Sequence, residues 1–177
     1  MTTPSNAAAP TVLRAAESAP RLTFDAYYEL VSFYARYAAV LDQGDWDAWP
    51  EFFLDECVYK VVPRENHERG LPLAVMDFES KGMLKDRVYG IKETLFFDPY
   101  YQRHIVGMPL VHAIRGNLIE AEANYVVVRT KTEEIGDVYN VGRYLDRIRQ
   151  TSRGLRLESR LCVYDSEMIA NSLIYPI

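Results

Sequence analysis

The residue types that could carry chemistry in this chain of 177 residues are few: His67, His104, His112, Cys57, Cys162 and an aspartate cluster, Asp42, Asp45 and Asp47. A catalytic metal needs about three protein ligands converging on one point. No CxxC, CxH, HExxH or HxxxH spacing occurs in the sequence. If His104 and His112 lie on one strand, eight residues at about 3.3 Å each separate them by roughly 26 Å, too far to share an ion. An iron–sulfur centre takes about four Cys or Cys/His ligands, which this chain cannot supply alone.

The aspartates sit in LDQGDWDAW. A calcium site or an acid/base pair is one reading. No glutamate follows at the calcium-loop spacing and Trp46 interrupts the run, so capping around a helix–helix turn is the expectation. His104 and His112 share a strand face with Val106, Met108, Leu110 and Ile114 if no bulge intervenes, a parity that Pro109 makes fragile. His104 then reads either as a general base in an apolar cavity, with a tyrosine of the first helix as partner, or as a histidine held by internal hydrogen bonds or at an interface.

Two further segments favour contact over chemistry. Asp98-Pro99-Tyr100-Tyr101-Gln102-Arg103 places tyrosines and an arginine after a turn, the composition of an interface or of a surface turn with its rings folded inward. The last segment, DSEMIANSLIYPI, carries Met168, Ile169, Leu173, Ile174, Tyr175 and Ile177 where a chain would fray unless docked on its own sheet or on another subunit. The candidate contact residues are therefore Tyr100, Tyr101, Arg103, His104, Met168, Ile174 and Tyr175, with no catalytic, cofactor-binding or metal-binding residue assigned.

The elements that must position them follow from patterning. Residues 1–20 are Ala- and Pro-rich, lack aromatic residues and read as a mobile tail. Their apolar run AAAPTVL lacks a basic lead, so it is not a signal peptide, and a cytoplasmic protein is expected. Residues 21–177 suffice for one core. Thr23 can cap a helix over 24–42, with one apolar face of Phe24, Tyr27, Tyr28, Val31, Ala35, Ala38 and Leu41 and a second of Leu30, Phe33, Tyr37 and Val40. Such a helix has two things to pack against. Gly44 suits its C-terminus, and Asp45 can cap a short helix carrying Trp46, Trp49, Phe52 and Phe53. A strand is expected over 57–62, closed by Pro63, then a turn-rich loop and a helix over 74–87.

Four long strands follow, near 103–115, 118–132, 137–150 and 155–166, separated by Gly116-Asn117, Gly136-Asp137 and Ser152-Arg153-Gly154. In the last, Leu155, Leu157, Leu161 and Val163 share one face and Arg156, Glu158 and Arg160 the other. Helices first and antiparallel strands after make an α+β fold with helices on one side of a curved sheet. With 20 Lys plus Arg against 25 Asp plus Glu, the net charge of −5 argues against a nucleic-acid partner. The composition excludes a membrane span, a disulfide scaffold and a disordered chain.

ALDQGDWDAWPEFFLDECVY resembles the opening of the nuclear-transport-factor-2-like, or cystatin-like, superfamily, which implies a bent antiparallel sheet wrapped into a cone around helices. KDRVYGIKETLFFDPYYQRHIVGMP and SRLCVYDSEMIANSLIYPI narrow this. With them, residues 22–177 resemble the small, or beta, subunits of Rieske-type aromatic-ring-hydroxylating oxygenases, in the branch of salicylate 5-hydroxylase and terephthalate dioxygenase. Many such subunits carry Asn a few residues after the Arg-His pair, where this chain has Gly107. The resemblance implies a non-catalytic chain in a hexamer of three large and three small subunits. It places the Rieske [2Fe-2S] cluster and mononuclear Fe(II) in the large subunit. Electrons come from NAD(P)H through a reductase and a ferredoxin, and the reaction is hydroxylation of salicylate to gentisate. The alternative is a stand-alone cone-fold isomerase or dehydratase using His104 with Tyr34 or Asp86, although Asp86 lies in a polar stretch between Lys85 and Arg87.

Overall fold

A computed structural model describes residues 21–166 and 172–177. The expected tail at 1–20, and Met168 and Ile169 of the last segment, lie outside the described residues. Helix α1 runs from Phe24 to Gln43, and the Thr23 hydroxyl accepts the Ala26 N–H at 3.2 Å, as the cap pattern predicts. It ends at Gly44, whose φ of 68° only glycine adopts without strain. The Gly44 and Asp45 N–H groups donate to the Leu41 and Val40 carbonyls, closing the helix in a Schellman motif. Asp45 caps no helix with its side chain. The next turn is a short 3-10 segment, Trp49–Phe52, preceded by Ala48, and Phe53 already belongs to the following strand.

The remaining elements are β1 (Phe53–Pro63), α2 (Arg64–Glu68), β2 (Met76–Phe78), α3 (Lys81–Tyr89) continued by a π-helical turn (Gly90–Thr94), β3 (Tyr100–Val106), β4 (Leu110–Arg115), β5 (Leu118–Lys131), β6 (Asp137–Thr151) and β7 (Gly154–Tyr164). Three differ from the sequence reading. The loop after Pro63 contains α2 and leads into β2, so the third helix begins at Lys81, where the Ser80 hydroxyl accepts from the Met83 N–H. The first long strand is two, because Gly107-Met108-Pro109 interrupts it. His104 and His112 therefore sit on different strands, and Met108 and Leu110 are exposed.

The seven strands form one sheet in the order β2-β1-β7-β6-β5-β3, with β4 also on β5. All neighbours are antiparallel except β1 and β7, which run parallel. Helix α1 lies on the concave face and buries Leu30, Phe33, Tyr34, Tyr37, Ala38 and Leu41. Leu30, Phe33 and Tyr37 come from the second stripe and Ala38 and Leu41 from the first, whose Phe24 and Tyr28 are exposed and stacked on each other. Burying each large apolar side chain contributes about 1.5–3 kcal/mol, so the inward stripe sets the helix's rotation about its axis.

Two backbone features shape the β6–β7 hairpin. Opposite Arg147 stands Ser159, but opposite Ile148 stands Leu157, so Glu158 is an extra residue. The bulge inverts the alternation after it. Leu155 and Leu157 face the core as expected, but so do Arg160 and Cys162 instead of Leu161 and Val163. Val163 points outward and is still buried, paired with Val62 beside α2. Farther along, a Cβ on Gly142 would collide with the Val163 carbonyl oxygen, so only glycine permits this approach of β6 to β7.

Candidate functional site

The interior of the cone is where an enclosed site would lie, and its contents follow from the bulge. Arg160, fully buried, donates from Nε and Nη2 to the two carboxylate oxygens of Asp146, also fully buried, at 2.9 and 2.7 Å. The two residues face each other across the hairpin. The Tyr34 hydroxyl donates to Asp146 Oδ2 at 2.5 Å. The guanidinium carbon lies 4.0 Å from the ring centres of both Tyr37 and Tyr144, close enough for cation–π attraction. Burial works against the Arg160 charge, yet the Asp146 carboxylate holds its pKa well above the usual arginine value. Burial raises Tyr34, Tyr37, Tyr59 and Tyr144 above the usual phenol range, so all four stay protonated.

Ile177 packs beside this layer. Ile177 is 1% exposed. Its carbonyl accepts from the Tyr37 and Tyr59 hydroxyls, each at 3.1 Å, and its N–H donates to the Tyr59 hydroxyl at 2.8 Å. Trp49 Nε1 donates to the Tyr37 hydroxyl at 3.0 Å. Arg87 secures the approach by donating to the Leu173 and Ile174 carbonyls. The segment 172–177 thus docks on its own chain, one of the two outcomes left open by the sequence. The cone interior is occupied by the protein's own side chains.

The second polar centre is a pair. His104 lies on β3 and Asp42 on the last turn of α1. Both Asp42 oxygens accept the His104 backbone N–H, and His104 Nδ1 stands 2.7 Å from Asp42 Oδ1. An ionised carboxylate can only accept, so Nδ1 carries the proton and the ring orientation is set. Both side chains are almost wholly buried, and His104 Nε2 has no partner among the described residues. This corrects the view of Asp42 as a capping residue: it ties the helix to the sheet edge. Asp47 instead pairs with Lys92 at the surface.

The tyrosine proposed as partner for His104 is committed elsewhere, since Tyr34 bonds Asp146, and Asp86 is exposed on α3. His112 is half-exposed beside Glu122. Cys57 and Cys162 are buried, and burial pushes their thiols up to about 11 and about 12. Among the described residues no three of His, Cys, Asp and Glu stand where they could hold a metal ion. The described residues therefore do not fit a Rieske cluster or a mononuclear iron.

The candidate contact residues divide. Tyr100 and Tyr175 come together, with ring centres 4.4 Å apart, and the Tyr175 N–H reaches the Tyr100 hydroxyl. Tyr101 and Arg103 project from the outer face of β3 and are exposed, whereas His104 faces inward. Ile174 is half-buried, and Met168 lies outside the described residues. Between the end of α1 and the start of β3 is a pocket of about 330 Å³ lined in part by Trp46, Tyr100 and Tyr175. A neighbouring groove of about 370 Å³ runs between α1 and residues 103–109. No helix among the described residues is long and apolar enough to cross a membrane.

The network that sequence reading missed is Arg160–Asp146–Tyr34. Its one local trace is the tight turn at Ser152-Arg153, which sets Asp146 opposite Arg160 only when the extra Glu158 is counted.

Comparison with known proteins agrees with this architecture. Residues 36–171 match the family model described as ring hydroxylating beta subunit. The anthranilate 1,2-dioxygenase small subunit of Burkholderia cepacia is 32% identical over 151 residues, 85% of this chain and 94% of that one. The beta 1 subunit of the terminal oxygenase component of terephthalate 1,2-dioxygenase from Comamonas sp is 29% identical over 149 residues, 84% of this chain and 97% of that one. A solved structure assigned as the beta subunit of an aromatic-ring-hydroxylating dioxygenase from Novosphingobium aromaticivorans superposes with a TM-score of 0.80 at 38% identity, covering 86% of this chain and 97% of that one. An NTF2-like protein with a cystatin-like fold from the same organism gives a TM-score of 0.61 at 20% identity over 81% of this chain and 84% of that one, which supports the fold alone. The chain has an α+β fold like that of nuclear-transport-factor-2-like proteins, and it belongs to the family of ring-hydroxylating beta subunits.

Proposed function

We propose that this chain is the non-catalytic small subunit of a cytoplasmic oxygenase complex, joined to a large subunit in a hexamer of three large and three small chains. The observation that carries this reading is the filled cone. A stand-alone cone-fold isomerase or dehydratase needs a chamber for its substrate, and here Arg160, Asp146, three tyrosines and Ile177 occupy that space. The large subunit then holds the Rieske cluster and the mononuclear iron. NAD(P)H supplies electrons through a reductase and a ferredoxin.

The substrate is an aromatic carboxylate, with salicylate, hydroxylated to gentisate, as the specific assignment. Support for the class comes from the relatives named for anthranilate and terephthalate. The face that meets the complex includes Tyr100, Tyr101, Arg103, Ile174 and Tyr175, with His104 holding β3 against α1 behind it. The test is co-expression with a large oxygenase subunit, purification of the complex, iron determination and product identification from salicylate, anthranilate and terephthalate. An iron-loaded complex that makes gentisate from salicylate is expected. Turnover of a small hydrophobic substrate by the isolated chain would overturn the small-subunit reading. Product from a different carboxylate would overturn the salicylate assignment alone.

A further inference from the structure

The outer face of the sheet is divided along its strands. At the end that carries β4, Arg115, Arg143, Arg147 and Arg149 each stand against a glutamate of a neighbouring strand. At the end that carries β3 the cross-strand rows are apolar. Ile105 lies opposite Val126 and Val126 opposite Val141, while Arg103 lies opposite Val128 and Val128 opposite Val138. Side chains in one row are about 5 Å apart, so the rows join into one patch, which Tyr101 extends along β3. Ile105, Val138 and Tyr101 are 61%, 64% and 79% exposed.

Arg103 is the one charged residue in these rows. Its side chain is 74% exposed, and its carboxylate neighbour among the described residues, Asp42, stands 3.6 Å away, outside hydrogen-bond reach. Both Asp42 oxygens already accept from His104. A partner that covers the valines takes Arg103 out of water as well. A charge buried without a counter-charge opposes binding, so a fitting partner brings a carboxylate. An arginine and a tyrosine among apolar side chains also make the composition of a binding centre.

We propose that this end of the outer face receives an apolar segment of the large subunit carrying an aspartate or glutamate that pairs with Arg103. The proposal rests on the small-subunit reading above and names the chemistry of the partner at Tyr101 and Arg103.

The experiment titrates the full chain against a large oxygenase subunit. The variants are Arg103→Gln, Arg103→Lys, Arg103→Glu and Ile105→Ser, with Arg115→Gln removing the same charge at the other end of the face. Melting temperatures of the free chains check folding. Arg103→Gln and Ile105→Ser carry the test if Arg103→Glu, which sets a second carboxylate near Asp42, is unstable. The expected result is affinity about five- to twentyfold weaker for Arg103→Gln, weaker still for Arg103→Glu, and intermediate between Arg103→Gln and wild type for Arg103→Lys. Ile105→Ser should bind about three- to tenfold more weakly and Arg115→Gln as wild type. Arg103→Gln binding as wild type, Arg103→Lys as weak as Arg103→Gln, or an equal loss in Arg115→Gln would overturn the pairing with a carboxylate. Ile105→Ser binding as wild type would overturn the apolar contact. A change in self-association of the small chain alone among these variants would make a second copy the occupant and overturn the proposal too. Each of these outcomes leaves the small-subunit reading intact, whereas a wild-type chain that does not bind a large subunit would remove both readings together.

Discussion

The β6–β7 hairpin carries arginine–carboxylate pairs on both faces, a few ångströms of backbone apart, and they do different things. On the inner face Arg160 and Asp146 are fully removed from water and held by Tyr34, Tyr37 and Tyr144. On the outer face Arg147 bridges Glu120 and Glu158, and Arg149 reaches Glu158 and Asn117, with about a quarter to under half of each charged side chain exposed. The outer lattice is solvated in the folded and unfolded states alike, so each pair contributes about 0–1 kcal/mol. The inner pair gives up its hydration on folding and recovers it only through complete pairing. The same residue types thus make an adjustable surface outside and a fixed frame inside.

The largest expected effect breaks the inner pair. Arg160→Ala leaves the Asp146 carboxylate buried with Tyr34 as its remaining partner and should cost about 3–5 kcal/mol in chemical denaturation. Replacing both members, Asp146→Leu with Arg160→Met, should recover most of that loss, since no charge is then stranded. A double variant as unstable as Arg160→Ala would mean that packing rather than charge dominates the inner face.

Next comes the backbone on which both faces depend. Gly142→Ala sets a methyl group against the Val163 carbonyl and should cost about 3 kcal/mol, read as a fall in melting temperature. It should disturb the inner layer more than the outer, visible as greater near-ultraviolet than far-ultraviolet circular dichroism change.

His104→Ala tests the other buried centre. It deprives the Asp42 carboxylate of one donor and should cost about 1–3 kcal/mol. The yield of complex should fall, with turnover per iron near wild type. An intact, iron-loaded complex slowed a hundredfold would make His104 a participant in catalysis or electron delivery.

The smallest effect belongs to the outer lattice. Burial raises the Glu158 carboxyl, but Arg147 and Arg149 outweigh it and hold its pKa below the usual glutamate value. A depressed native pKa contributes stability above the unfolded value, near pH 4.5, and that contribution is lost as pH falls through the native value. Glu158→Gln should therefore lower stability by about 0.5 kcal/mol at pH 7, and less in high salt. The gap from wild type should close as pH falls below the ordinary glutamate range in pH-dependent melting curves.

What the sequence determined by itself was local. Thr23 and Gly44 mark the ends of α1 because caps are chemistry between residues three to five apart. Gly116-Asn117 and Ser152-Arg153-Gly154 mark two hairpins because a tight turn needs glycine's freedom. The motif segments carried the family, and the scarcity of ligand residues argued against metal chemistry on this chain. Tertiary structure decided the rest. Which stripe of α1 faces inward depended on the sheet beneath it. The joining of Asp42 to His104 spans 62 residues. One extra residue at Glu158 turned Arg160 from an expected surface residue into the centre of the core, because strand alternation holds only until the register slips and nothing adjacent in the chain signals the slip. Tyr37 and Tyr59 meet Ile177 because the cone closes around the last segment, an outcome of three-dimensional packing that no local pattern encodes.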